Sequence, residues 1–154
     1  MLIYKQATGA DYDEFMKLVR ADAGKYLEHA MKLMEMDWKK FEHLFRTVGE
    51  VCGIYKEGRL AGFYWIEHRD DVLHIHGLIL KDEFQDHGIG SEVLRVLEER
   101  CSRSADRMEL AVHDSNPRAK QLYKRLGYRT VRRLEDEGFD IMQKEIGHSE
   151  EPSE

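Results

Sequence analysis

The chain has 154 residues, and its 24 Lys and Arg stand against 30 Asp and Glu for a formal net charge of −6. That length suits one domain of roughly 100–200 residues, and a composition 42% hydrophobic and 35% charged belongs to a folded globular chain rather than a disordered one. No apolar run approaches the roughly 20 residues of a membrane span, and Met1–Gln6 turns polar too soon for a signal peptide. Cys52 and Cys101 alone make no disulfide framework, so a cytoplasmic setting is expected. Net acidity disfavours nucleic acid and favours a cationic partner.

Leu2–Ala7 reads as a strand. Asp11–Ala23 carries Tyr12, Phe15, Met16 and Val19 at helical spacing. A second helix is expected from about Lys25 to Thr47, striped by Leu27, Ala30, Met31, Met34, Trp38, Phe41, Leu44, Phe45 and Val48 and stopped by Gly49. The period then falls to two. Glu50–Lys56 and Arg59–His68 read as strands joined through Glu57-Gly58, and Val72–Leu80 follows the polar turn Arg69-Asp70-Asp71. From Gly88 the helical period returns, with Ile89, Val93, Leu94, Leu97 and Cys101 on one face. Cys101 on that face reads as a core thiol, against an acyl-cysteine mechanism.

Arg107–His113 is a strand, and Asn116 caps a helix with Pro117 at its first position. That helix is expected to bury Ala119, Leu122, Tyr123 and Leu126 and to end at Gly127. Tyr128–Leu134 and Phe139–Ile146 close the chain as an antiparallel pair, with Arg129–Arg133 a solvated strand face. Residues 147–154 lack an apolar anchor and read as a mobile tail. The expectation is an α/β domain over residues 1–146, with a mixed, mostly antiparallel sheet of seven strands flanked by four helices.

The chemistry concentrates where the strand ending at Leu80 runs through Gln85-Asp86-His87-Gly88-Ile89-Gly90-Ser91 into a helix. Glycines there admit a close ligand, and free N–H groups with the helix dipole favour phosphate oxygens. The Walker pattern is absent, and Val93 stands where a dinucleotide fingerprint needs its third glycine. A second block follows as Asn116-Pro117-Arg118-Ala119-Lys120-Gln121-Leu122-Tyr123-Lys124-Arg125-Leu126-Gly127-Tyr128.

Together the two blocks resemble the GNAT superfamily of acyl-CoA-dependent N-acyltransferases. The first matches Gln/Arg-x-x-Gly-x-Gly as Gln85 to Gly90, and the second matches Asn-x-x-Ala-x-x-Leu-Tyr-x-x-x-Gly-Phe/Tyr at every fixed position. The resemblance implies that Gln85, Asp86, His87, Gly88, Ile89, Gly90 and Ser91 hold the pyrophosphate of acetyl-CoA through backbone N–H groups. It implies that the backbone of Leu78 and Leu80 pairs with the pantetheine arm, and that an N–H near Leu78 polarises the thioester carbonyl. Asn116 would cap its helix and touch the cofactor, and Tyr123 would protonate the departing thiolate. Tyr123 also reads simply as an aromatic on a helix face. The family loop commonly carries Arg or Lys where this chain has Asp86 and His87, and Asp86 should repel a pyrophosphate unless it points to solvent.

Many family members place a Glu on the strand before the loop, and by spacing His74 falls there. Histidine titrates near pH 6.5 and suits a general base. Another group or a water chain remains an alternative, and His74 and His76 also read as ordinary half-exposed strand residues. Gly77 marks a possible bulge that would change their register. With His113 or Glu67 they could gather as a metal set, but paired His on a strand is common without metal and none is expected. Some family branches that acetylate protein N-termini carry a Glu before the Asn block, where this chain has Ala111 in Leu110-Ala111-Val112-His113-Asp114-Ser115-Asn116.

The expected function is acetyl transfer from acetyl-CoA to a primary amine, small-molecule or protein, by direct attack in a ternary complex. The alternative is a non-catalytic acyl-CoA-binding module. Open strand edges leave room for a homodimer.

Overall fold

The computed structural model describes residues 1–147, so the tail expected over 147–154 lies, from His148 on, outside the described residues. The elements are β1 (Leu2–Gln6), α1 (Gly9–Leu33), α2 (Trp38–Thr47), β2 (Glu50–Lys56), β3 (Arg59–Arg69), β4 (Val72–Leu80), a 3₁₀ turn at Asp82–Phe84, α3 (Ile89–Cys101), β5 (Arg107–His113), α4 (Pro117–Arg125), β6 (Arg129–Leu134) and β7 (Phe139–Glu145). The sheet has seven strands in the order β1-β2-β3-β4-β5-β7-β6. The β4–β5 pair is parallel, while β1–β2, β2–β3, β5–β7 and β6–β7 are antiparallel, so the mixed α/β expectation holds.

The described residues divide into two compact units, Met1–Ile66 with His76–Gln85, and Glu67–Ile75 with the residues from Asp86 onward. The first is built on aromatic packing. Phe15, Met16 and Val19 of α1, Phe45 of α2, Val51 of β2, and Phe63 and Trp65 of β3 form one buried cluster. Phe15 stacks on Phe63 at 4.8 Å, and Phe45 meets Trp65 edge-on at 5.0 Å. Burial of each such side chain contributes roughly 1.5–3 kcal/mol.

The expected helix boundary is corrected. α1 runs unbroken through Gly24, and the break falls after Leu33. One interior glycine costs a helix only about 1 kcal/mol, which Ala23, Ala30 and Met31, all buried, offset. The stop comes from Glu35, whose φ of 56° is left-handed, and from Asp37, whose Oδ1 accepts the Lys40 N–H at 2.8 Å and caps α2. Met34, expected in the buried stripe, sits at that helix end and is 52% exposed. The hairpin between β2 and β3 has positive φ at both Glu57 and Gly58, the primed turn that matches strand twist.

In the second unit β5 alternates, with Met108, Leu110 and Val112 buried and Arg107, Glu109, Ala111 and His113 turned toward the more exposed face. Cys101 is buried on α3 as expected. The face expected to be buried on α4 is only half-buried, and the helix has no fully buried residue. A nine-residue helix rich in Lys and Arg offers too narrow an apolar stripe, and Tyr128, just past its end, takes the interior position instead. Arg129–Arg133 lies exposed on β6, which has a register shift between Thr130 and Arg132, so this edge is charged and irregular as expected of a solvated face.

Two glycine substitutions should separate in sign. A Cβ at Gly62 would lie 2.0 Å from the Ile79 carbonyl oxygen and 2.8 Å from Leu80 Cα, both backbone, whereas a Cβ at Gly24 meets nothing within 4 Å. Gly62→Ala should destabilise by about 3 kcal/mol or more, and Gly24→Ala should stabilise by about 0.5–1 kcal/mol. Urea midpoints at constant m-value measure both.

Candidate active site

Strand pairing sets the site. The parallel ladder runs from Val72↔Arg107 to Ile75↔Leu110 and puts His74 directly opposite Glu109. Leu73 and Ile75 point into the core, so His74, between them, faces the other way and is half-buried. Its Nδ1–H donates to Glu109 Oε1 at 2.7 Å. Across the next pairing Glu109 stands opposite Gln143 of β7, whose Nε2 donates to Glu109 Oε2 at 2.9 Å. Burial pulls the His74 pKa below the ordinary imidazole value, although its hydrogen bond to Glu109 pulls the other way. Burial works against ionisation of Glu109, yet the hydrogen bonds from Gln143 and His74 hold its carboxyl below the usual range. At pH 7 the pair is therefore a neutral imidazole against a carboxylate.

His76 has a different setting. Its ring lies 4.3 Å from that of Trp65, a packing contact. His113 Nδ1 lies 2.9 Å from the Ser115 hydroxyl and its ring packs on Phe139, while Glu67 pairs with Arg69. Among the described residues no group of three or more His, Cys, Asp or Glu gathers as a metal site.

The loop follows from its backbone. Leu78 and Leu80 are half-buried at the end of β4. Gln85 turns back along the chain, its Nε2 donating to the Leu80 carbonyl at 3.0 Å, so its side chain shapes the turn. Asp86 and Gly88 both take positive φ, 64° and 77°, and Gly88 is the N-cap of α3. The loop is anchored by Ile89, which is 3% exposed, while His87 stays exposed and Ser91 is half-buried in the first turn. Nothing lies within 4 Å of the Cβ positions at Gly88 and Gly90, so there is space against the first amides of α3, which have no acceptor inside the helix. A pocket of about 300 Å³, lined in part by Gly88, Ser91, Arg95, Tyr128 and Lys144, opens beside the same loop. These features fit a diphosphate ligand.

Asp86, the residue at odds with a diphosphate, has a partner the sequence did not reveal. Arg118, at the start of α4, donates to its Oδ1, so the loop carries a neutral pair rather than a bare carboxylate. Asn116 caps α4 as expected, its Oδ1 accepting the Ala119 N–H at 3.2 Å. Tyr123 is half-buried, with its ring 5.8 Å from that of Tyr128. Burial pushes the Tyr128 phenol well above its ordinary range, which suits a structural role there.

Glu109, Gln143 and Arg118 were all missed by the sequence reading. The first two become visible only once strand register is known, and the third only once α4 is placed against the loop.

A seven-stranded mixed sheet whose parallel strand leads through a glycine loop into a helix is the framework of an acyl-CoA-dependent transferase. Residues 12–128 match the acetyltransferase (GNAT) family. The spermine/spermidine N(1)-acetyltransferase of Bacillus subtilis (strain 168) is 25% identical over 114 residues, covering 68% of this chain and 72% of that protein. The ribosomal-protein-S18-alanine N-acetyltransferase of Escherichia coli has a similar fold, with a TM-score of 0.72 and 19% identity over 100% of this chain and 99% of that one. A GNAT acetyltransferase from Elizabethkingia anophelis with acetyl-CoA bound gives a TM-score of 0.70 at 13% identity, covering 94% and 97% of the two chains. The chain belongs to the GNAT acetyltransferase family. It is an N-acetyltransferase whose acyl donor is acetyl-CoA.

Acetyl-CoA at 100 times its Kd should stabilise the fold by about 2.7 kcal/mol in thermal unfolding. Arg118→Ala should raise the Kd by about two- to five-fold, and adding Asp86→Ala should recover most of the loss. An unchanged Kd in Arg118→Ala would show that the Asp86–Arg118 pair does not matter for the donor.

Proposed function

We propose that this enzyme acetylates a primary amine of a small polycationic acceptor by direct attack in a ternary complex. The observation that carries this reading is His74, a half-buried imidazole kept neutral on the strand that leads into the donor loop. Most amines are protonated at pH 7 and cannot attack a thioester until the proton is removed. His74 accepts the first of the two protons that the ammonium loses, which frees the lone pair for attack on the thioester carbon. Tyr123 donates a proton to the sulfur as the carbon–sulfur bond breaks, a transfer from a phenol near pKa 10 to a thiolate whose acid lies near 8.5. The second proton on nitrogen passes through water to the Tyr123 phenolate, and His74 releases its proton to solvent, so the amide and the free thiol leave with one proton released overall.

A polycationic acceptor is supported by the net charge of −6, which concentrates cations, and by the polyamine acetyltransferase among the relatives. The protein N-terminal alternative is less favoured because Ala111, exposed on β5, replaces the Glu of those family branches. A cytoplasmic location accords with Cys52 and Cys101 being buried and unbridged. For a homodimer, β1 offers an edge strand with Ile3 52% exposed, and sedimentation across micromolar concentrations tests it.

Tyr123→Phe should lower kcat by about 10²-fold with little change in the KM for acetyl-CoA. Equal kcat in the two proteins at every pH would remove Tyr123 as the acid. The rate constant kcat/KM should rise with pH through the His74 pKa, because only the neutral ring accepts a proton. Burial places that limb below pH 6.5, several units under the titration of the acceptor amine itself. Spermidine should be preferred over a monoamine of similar size, and the preference should shrink as salt is added. Equal kcat/KM for the two amines would favour a different acceptor class.

A further inference from the structure

A histidine serves as a base only if the nitrogen facing the substrate bears the lone pair, and the hydrogen bond at the other nitrogen decides which one that is. In this chain the decision falls to Glu109. An ionised carboxylate can only accept, so its 2.7 Å contact with Nδ1 requires the proton to sit on Nδ1 and makes Nε2 the acceptor nitrogen. Both oxygens of Glu109 are engaged, one by His74 and the other by Gln143, so the carboxylate cannot swing away from the ring. Three strands hold this line through pairing alone, His74↔Glu109 and Glu109↔Gln143. The His74 and Glu109 side chains are 14% and 19% exposed, which shields their hydrogen bond from competing water. The other charged groups acting on His74 are Glu67 and Arg69 of β3, which oppose each other and are themselves ion-paired.

We propose that Glu109 is the positioning residue of this acetyltransferase, fixing His74 in its Nδ1–H form so that Nε2 receives the acceptor amine's proton, with Gln143 holding the carboxylate in place. The proposal rests on the reading of His74 as the base.

The test uses the full chain in four forms, wild type, Glu109→Gln, Glu109→Ala and His74→Ala, with folding of each checked by circular dichroism. Long-range proton–nitrogen correlation spectra of protein labelled at histidine nitrogen report the His74 tautomer without any substrate. In the wild type above the His74 pKa, Nδ1 should carry the proton and Nε2 should not. Either Glu109 variant should shift the ring toward the Nε2–H form and lower kcat by about 10–10³-fold, with the KM for acetyl-CoA nearly unchanged. Removing the carboxylate also removes an influence that raises the His74 pKa, so the acid limb of the pH–rate profile should move to lower pH.

A wild-type ring protonated at Nε2, a tautomer unchanged in both Glu109 variants, or a shifted tautomer with full kcat would each overturn the proposal. Should Glu109→Ala fail to fold, the nearly isosteric Glu109→Gln carries the same readouts. A wild-type pH–rate profile in His74→Ala would remove the base itself and the proposal with it. The tautomer spectra tell that failure apart from a failure of Glu109 to set the ring.

Discussion

Everything proposed for the chemistry depends on the short parallel ladder between β4 and β5. A parallel pair has no tight turn to set its register, so the alignment must come from which faces are buried. Leu73 and Ile75 on one strand and Met108 and Leu110 on the other are buried, and this fixes both strands to the residue. A slip by one position would turn these apolar side chains outward and bury His74 and Glu109 without partners. The hydrophobic effect thus positions a polar pair that it does not itself contact.

The second constraint is electrostatic and local to α4. Asp114, just after β5, takes Arg133 of β6 in two hydrogen bonds and Lys120 of α4 in a third. Hydrogen bonds from Arg133 and then Lys120 hold the Asp114 carboxyl far below the usual carboxylate range, and a hydrogen bond from Arg133 also lowers that of Asp140 on β7. Depressed carboxylates contribute stability that is present above their ordinary pKa near 4 and is lost as pH falls through the lowered values. These side chains lie at the surface, between 16% and 44% exposed, so each pair is weak, but the cluster joins α4, β6 and β7 beside the helix that Asn116 caps. Arg118 and Tyr123 lie on the helix it secures. Acidic residues therefore serve two purposes in the second unit, with Glu109 holding the His74 ring and Asp114 tying α4 to β6.

The donor loop shows how a departure from a family pattern is compensated. An acidic residue stands at Asp86 in a left-handed backbone position, where its carboxylate works against phosphate. Arg118 lies 32 residues further along the chain and answers it with a guanidinium. The guanidinium from a different element cancels the carboxylate without adding net positive charge, and the first amides of α3 have no acceptor inside the helix.

Most of the architecture was legible in the residues because it follows from local physics. Strand and helix periods, the Asn116-Pro117 cap, the Glu57-Gly58 turn and the Gly88–Gly90 loop depend on neighbours within a few positions, and they appear where the pattern places them. His74 was singled out because it falls where many members of the resembled family carry a Glu before the loop, and the structure sets it against a carboxylate. The break between α1 and α2 was misplaced because an interior glycine was weighed too heavily and the Asp37 cap too lightly. What only the tertiary structure decided are contacts between residues far apart in sequence. Glu109 reaches His74 across 35 positions and Gln143 reaches Glu109 across 34. Such contacts are set by strand register and helix placement, which the whole core determines at once, and no window of sequence contains both partners.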